Sequence, residues 1–184
     1  FVNSKHMTCI ADQTFDEPTI QPFVASKAPT TAALADGAGN KITFTLGEGD
    51  LTSPSGAGTF DKNPAATRLT IEYVVPPAML PHLQRLDAWA VSHSVAQKAL
   101  LFPDWSKEDI ARNYHSLLQY SEKYDQWRAI FKFNTCGLKK CRFWNPDKLE
   151  MKYEDVDTKS AGMYPFVELT GLWQQGRSFG LTLN

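Results

Sequence analysis

Hydrophobic spacing along this chain changes period twice, and that order limits its fold more than any other feature. Period-two spacing comes first. Lys41 to Leu46 alternates so that Ile42, Phe44 and Leu46 share one strand face, with Gly47, Gly49 and Asp50 closing the run. Arg68 to Val75 repeats the pattern, with Leu69, Ile71, Tyr73 and Val75 on one face and Arg68, Thr70 and Glu72 on the other, until Pro76 and Pro77 remove backbone donors. From about Pro81 to Leu101 the spacing turns helical through Leu83, Leu86, Trp89, Ala90, Ala96 and Leu100. Ser106 followed by Asp109 reads as a capped helix start, and the second helix is expected to carry Ile110, Tyr114, Leu117 and Leu118 inward. After Lys123 the period returns to two through Trp127, Ala129, Phe131 and Phe133. A short strand over Cys141 to Trp144 and two closing strands, Pro165 to Trp173 and Arg177 to Leu183, complete the series, with Gln174-Gln175-Gly176 as a tight hairpin.

Strands and helices in separate blocks predict an α+β fold with a mainly antiparallel sheet curling toward a barrel, and they exclude a doubly wound nucleotide fold. The expected layout is one α+β domain over 41–184, with an inserted helical hairpin at about 81–121. Residues 1–40 lack periodicity and contain Pro18, Pro22 and Pro29, so they are expected to form an extended N-terminal arm. The chain begins at Phe1 and ends at Asn184 within an apparent strand, as expected of a trimmed or processed form of a longer product.

A hydrophobic content of 42% with 21% charged residues is that of a folded domain and excludes a disordered chain. The net charge of −1 gives the molecule no overall positive field, so any polyanion site is a local patch. Cys9, Cys136 and Cys141 lack the paired spacing of a zinc site and read as free thiols in a reducing compartment. With no apolar run of about 20 residues and no basic flank before an apolar stretch, the chain is expected to be neither membrane-embedded nor secreted.

No catalytic constellation is visible. His6, His82, His93 and His115 lack a Glu or second His at helical spacing, and the acidic cluster Glu150, Glu154, Asp155 and Asp157 does not match a calcium loop. The loop from Ser53 to Gly58 lacks the Gly-Lys-Ser/Thr ending of a phosphate loop. The chain therefore reads as non-catalytic, with no metal and no cofactor.

The informative cluster is cationic and aromatic. Six of the nineteen Lys and Arg fall between 128 and 148, interleaved with Trp127, Phe131, Phe133, Phe143 and Trp144. Single-strand binders need a positive groove for phosphates and aromatic faces on which bases stack. Trp127, Phe131 and Phe133 share a parity that favours the core, which leaves Arg128 and Lys132 pointing outward. The candidate nucleic-acid-binding residues are Arg128, Lys132, Lys139, Lys140, Arg142, Phe143, Trp144, Trp173 and Arg177. Trp173 and Phe179 flank the last hairpin, either as a tip aromatic and its neighbour or as a cross-strand pair.

Leu86-Asp87-Ala88-Trp89, Trp105 ahead of Ser106 to Ile110, and Tyr114 before Leu117 and Leu118 form one set of marks. Val167-Glu168-Leu169-Thr170-Gly171-Leu172-Trp173 with Gly176, Arg177, Phe179, Gly180, Leu181 and Thr182 forms another. In order and character, Leu86 to Leu183 resembles a set of single-stranded-DNA-binding proteins of large eukaryotic DNA viruses and of algal or protist genomes. The resemblance covers about half the chain. The linker from Tyr120 to Lys123 lacks the prolines of that pattern. The resemblance implies an OB-like barrel that binds single strands with little sequence preference, without metal or cofactor.

The expected function is thus non-catalytic binding of single-stranded DNA or RNA in the nucleus, cytoplasm or a viral factory. The competing expectation is a structural or interaction subunit of a larger, virus-like assembly, self-associating or docking on a protein partner through an arm that contains Ile20, Phe23 and Val24.

Overall fold

The computed structural model describes residues 8–9, 19–20, 30–36, 38–46, 51–58, 66–137 and 140–183. The short strands β1 (Thr8–Cys9) and β2 (Thr19–Ile20) precede β3 (Thr30–Ala35) and β4 (Ile42–Thr45). After β5 (Ala57–Gly58) and β6 (Arg68–Val74) come the helices α1 (Leu80–Ala96), α2 (Lys98–Leu101) and α3 (Lys107–Asn113). The chain then forms β7 (Tyr114–His115), β8 (Leu118–Ser121) and β9 (Gln126–Asn134). Last come β10 (Phe143–Trp144), β11 (Glu150–Met151), a 3-10 turn at Tyr153–Asp155, β12 (Phe166–Gln175) and β13 (Ser178–Leu183). The fold is α+β with mostly antiparallel sheets, as the block pattern predicts.

Among the described residues one sheet runs β1-β4-β12-β13-β7 with β3 and β2 attached, another runs β5-β6-β9-β8, and β10 and β11 form a small ribbon. These sheets stay open, and no closed barrel is present among the described residues. The inner faces of both larger sheets and one side of α1 meet in a single core. Ile42, Phe44, Ile71, Phe131, Leu169 and Phe179 come from the sheets and Leu83, Leu86 and Ala90 from the helix. Period-two alternation predicted these strand faces, and Ile42, Phe44 and Leu46 are all buried.

Residues 30–35, placed by sequence in the arm, are a strand of the larger sheet. Ala33 pairs with Gly171 and Ala32 with Leu172, which buries Ala32 and Leu34. β3 and β4 lie end to end along the same edge of β12. Between them Asp36 closes a turn, its Oδ1 accepting from the backbone N–H of Ala38 and Asn40 at 2.9 and 2.7 Å. At that point β12 bulges between Leu169 and Gly171. Gly171 is required there because a Cβ would stand 1.9 Å from the carbonyl oxygen of Ala32. Phe23, Val24 and the three arm prolines lie outside the described residues, as do His6, Gly47, Gly49 and Asp50.

The helical hairpin is shorter than the spacing predicts. α3 opens with the expected capping box, in which Ser106 Oγ accepts from the Asp109 N–H and Asp109 accepts from the Ser106 N–H. It stops at Asn113, and Tyr114, Leu117 and Leu118 belong to strands and their connection. Tertiary contacts override the helical pattern here. Tyr114 donates its hydroxyl to Asp87 of α1 at 2.6 Å and sets its ring edge-on to Phe179 at 5.3 Å, which requires extended backbone. Asp87 also accepts from the Leu117 N–H and the Ser116 hydroxyl. Among the described residues no helix is long and apolar enough to cross a membrane.

Candidate nucleic-acid interface

Strand register decides which cations share a face. Arg68 of β6 pairs with Asn134 of β9, and Asn134 bridges to Lys140, so these three residues lie side by side and point the same way. Lys132, two positions before Asn134, shares that side opposite Thr70, while Leu69, Ile71 and Phe131 take the other side into the core. Phe143 packs against Phe133 and Tyr153 with ring centroids 5.8 Å apart, which fixes it on the inner side. Its neighbours Arg142 and Trp144 are exposed, and Trp144 pairs with Glu150 across the β10–β11 ribbon. Trp144 is 53% exposed.

One end of the four-stranded sheet thus carries Arg68, Lys132 and Lys140 on its outer side, and Lys140 reaches Glu150, the residue paired with Trp144 across the adjoining β10–β11 ribbon. The Lys140 ammonium stands 3.6 Å from Glu150, whereas the side chains of Arg68, Lys132 and Arg142 make no ion pair or hydrogen bond among the described residues. These three cations have no counter-charge on a molecule whose net charge is −1, and the Trp144 indole is open to solvent near Lys140.

The other sequence candidates fall elsewhere. Arg128 lies on the same outer side of β9, but its guanidinium bonds Glu72 at 2.8 Å and covers the Tyr124 ring at 4.8 Å. Its charge is satisfied within the sheet. Phe143 packs in the aromatic triad with Phe133 and Tyr153 and is half-buried, so it is less open than Trp144. Trp173 and Arg177 belong to the other sheet, Arg177 exposed in the turn that Gly176 permits with φ 59°. Trp173 lies across Gly180 and approaches His115 at 5.7 Å, while Phe179 points into the core, so the two aromatics occupy opposite faces and do not pair. Lys139 lies outside the described residues.

Arg68 was not singled out from sequence, because only its pairing with Asn134 brings it beside Lys132. The hairpin joining β8 to β9 was missed as well. There Tyr120 and Tyr124 are 47% and 54% exposed, and Lys123 Nζ stands 4.9 Å from the Tyr124 ring centre. The hydrogen bond and charge of Lys123, with Arg128 nearby, lower the Tyr124 phenol from its ordinary value. The tight run Tyr120 to Tyr124, aromatic at both ends with a lysine within, was the available signal.

Beside the basic face opens a pocket of about 340 Å³ walled by Phe143, Met151 and Tyr153. Lys140, Lys152, Glu150 and Glu154 line it too, with Thr135 and Cys141, so its surface is mostly polar. Burial pushes the Cys141 thiol and the Tyr153 phenol up, so both stay protonated at neutral pH. Cys136 and Cys141 are free thiols, and the side chain of Cys9 lies outside the described residues. Among the described residues no group of three or more His, Cys, Asp or Glu side chains is placed to hold a metal ion.

No protein-family model matches the chain, nor does any curated protein or solved structure.

Proposed function

We propose that this protein holds single-stranded nucleic acid, DNA or RNA, with little sequence preference and without catalysis, metal or cofactor. The observation that supports this reading is the exposed Trp144 indole on the β10–β11 ribbon next to Lys140, which lies in line with the unpaired side chains of Arg68 and Lys132 on the outer side of the sheet, with the unpaired Arg142 close by in the chain. A phosphate backbone supplies the counter-charge those cations lack, and any base offers Trp144 a flat face. A site in a reducing compartment such as the nucleus, the cytoplasm or a viral factory belongs to the same proposal, as do the OB-like form and the viral kinship.

Anisotropy of a labelled oligothymidine at low salt tests it. Binding is expected, and Trp144→Ala should weaken it by about tenfold, the lower range of the ~1–3 kcal/mol carried by a stacked base. Absence of binding to the wild-type protein would refute the reading.

The alternative, an interaction subunit of a larger assembly, draws support from β8. Among the described residues it is the outermost strand of its sheet, and it presents Tyr120 to solvent. Sedimentation equilibrium showing a monomer at every concentration would count against self-association through that edge.

A further inference from the structure

We propose that the pocket walled by Phe143, Met151 and Tyr153 receives one base of the bound strand, and that its free carboxylate, Glu154, favours guanine there. The inference rests on the single-strand reading of the adjoining face and adds a specificity that the face alone does not have.

Lys140 connects the two surfaces. It stands in line with Arg68 and Asn134 on the outer side of the sheet and also lines the pocket. A backbone that follows the cations therefore passes the pocket mouth. At about 340 Å³ the pocket lies at the small end of the ~300–1,000 Å³ typical of ligand sites, which suits a single base with part of its sugar. Phe143, Met151 and Tyr153 give it an apolar part that matches the face of a base, while most of its lining is polar and can meet a base's edge.

The polar lining selects among bases. Glu150 is engaged by Lys140, whereas Glu154 is exposed and has no hydrogen bond or ion pair among the described residues. A carboxylate only accepts, with two oxygens side by side. Guanine alone presents two adjacent donors on its Watson–Crick edge, N1–H and the N2 amino group, so it fits a carboxylate in bidentate fashion. Its neighbouring O6 accepts from an ammonium, and Lys152 lines the same pocket. Adenine and cytosine offer one amino donor each. Thymine sets its single N3–H between two carbonyl oxygens that a carboxylate repels. Single-strand recognition reads these edges because the bases are unpaired.

The test compares two labelled strands of equal length, oligothymidine and oligothymidine with guanines at regular intervals, under one salt condition. The guanine-bearing strand is expected to bind about tenfold tighter, within the discrimination of one bidentate contact. Glu154→Gln, which replaces one acceptor by a donor, should bring the ratio of the two affinities close to one. Equal affinities of both strands for the wild-type protein would overturn the guanine site while leaving the single-strand reading intact. An undiminished ratio in Glu154→Gln would overturn the role of Glu154. Failure of both strands to bind at low salt would overturn the single-strand reading and this inference with it.

Discussion

Replacing Lys132 and Arg142 together by glutamine should flatten the salt dependence of oligothymidine binding. In the wild-type protein the side chains of three cations, Arg68 and Lys132 on the outer side of the sheet end and Arg142 before the adjoining ribbon, have no partner among the described residues. Each phosphate neutralised on a single strand contributes about −0.7 to the slope of log affinity against log salt, so the three predict a slope near −2. A fourfold rise in salt, from about 50 to 200 mM, then lowers affinity about 20-fold, and about 50-fold if Lys140 leaves Glu150 for a phosphate. With Lys132 and Arg142 neutral, only Arg68 remains of the three, and the same rise should cost about threefold. Both positions are solvent-exposed, so the double variant is expected to fold. Anisotropy titrations at four or more salt concentrations give both slopes, with Lys107→Gln on the exposed side of α3 as a control that should leave the wild-type slope in place. Parallel lines for wild type and double variant would refute the assignment of the phosphate contacts to this face.

Gly171→Ala should force β3 off β12, because the new Cβ has no room against the Ala32 carbonyl and no rotamer to escape into. Losing much of the burial of Leu34 with the strand pairing should cost ~2–3 kcal/mol, a fall in Tm of about 6–9 °C for a chain of this size, whereas Gly58→Ala, with nothing within 4 Å, should change little. Thermal circular dichroism reads both, and equal Tm values would refute the close approach. His93 is half-buried against Trp89, its ring 5.1 Å away, and burial lowers its pKa below the ordinary 6.5. The unfolded chain therefore binds the proton more readily, so stability should be full above about pH 6.5 and fall as pH drops toward the folded pKa. His93→Gln should lose less Tm than wild type between about pH 7.5 and 5.5, and an identical loss would show that His93 is not the group responsible.

The strands were largely legible in sequence where alternation was strict. β4, β6, β9 and the β12–β13 hairpin appear within one or two residues of their expected bounds, as does the capped start of α3. Alternation and capping are properties of a few consecutive residues, so one segment carries the whole signal. Part of the basic and aromatic cluster was legible for the same reason, since Lys132, Lys140, Arg142 and Trp144 lie close together in the chain.

β3 was not legible. Thr-Thr-Ala-Ala-Leu-Ala has no strict alternation, and it is a strand because β12, more than a hundred residues later, offers it an edge and a glycine at the point of closest approach. The end of α3 was hidden too, because a helical spacing continues through Leu117 while Asp87 and Phe179 hold Tyr114 in extended backbone. Arg68 entered the site, and Arg128 left it, through contacts with partners about sixty residues away in the chain, Asn134 and Glu72. The sequence by itself determined the α+β class, most of the strand faces and the presence of a cationic, aromatic segment. Only the tertiary structure decided that Arg68 stands beside Lys132 and that Arg128 is compensated, because register between distant strands follows from the joint burial of both inner faces, and no single segment encodes that.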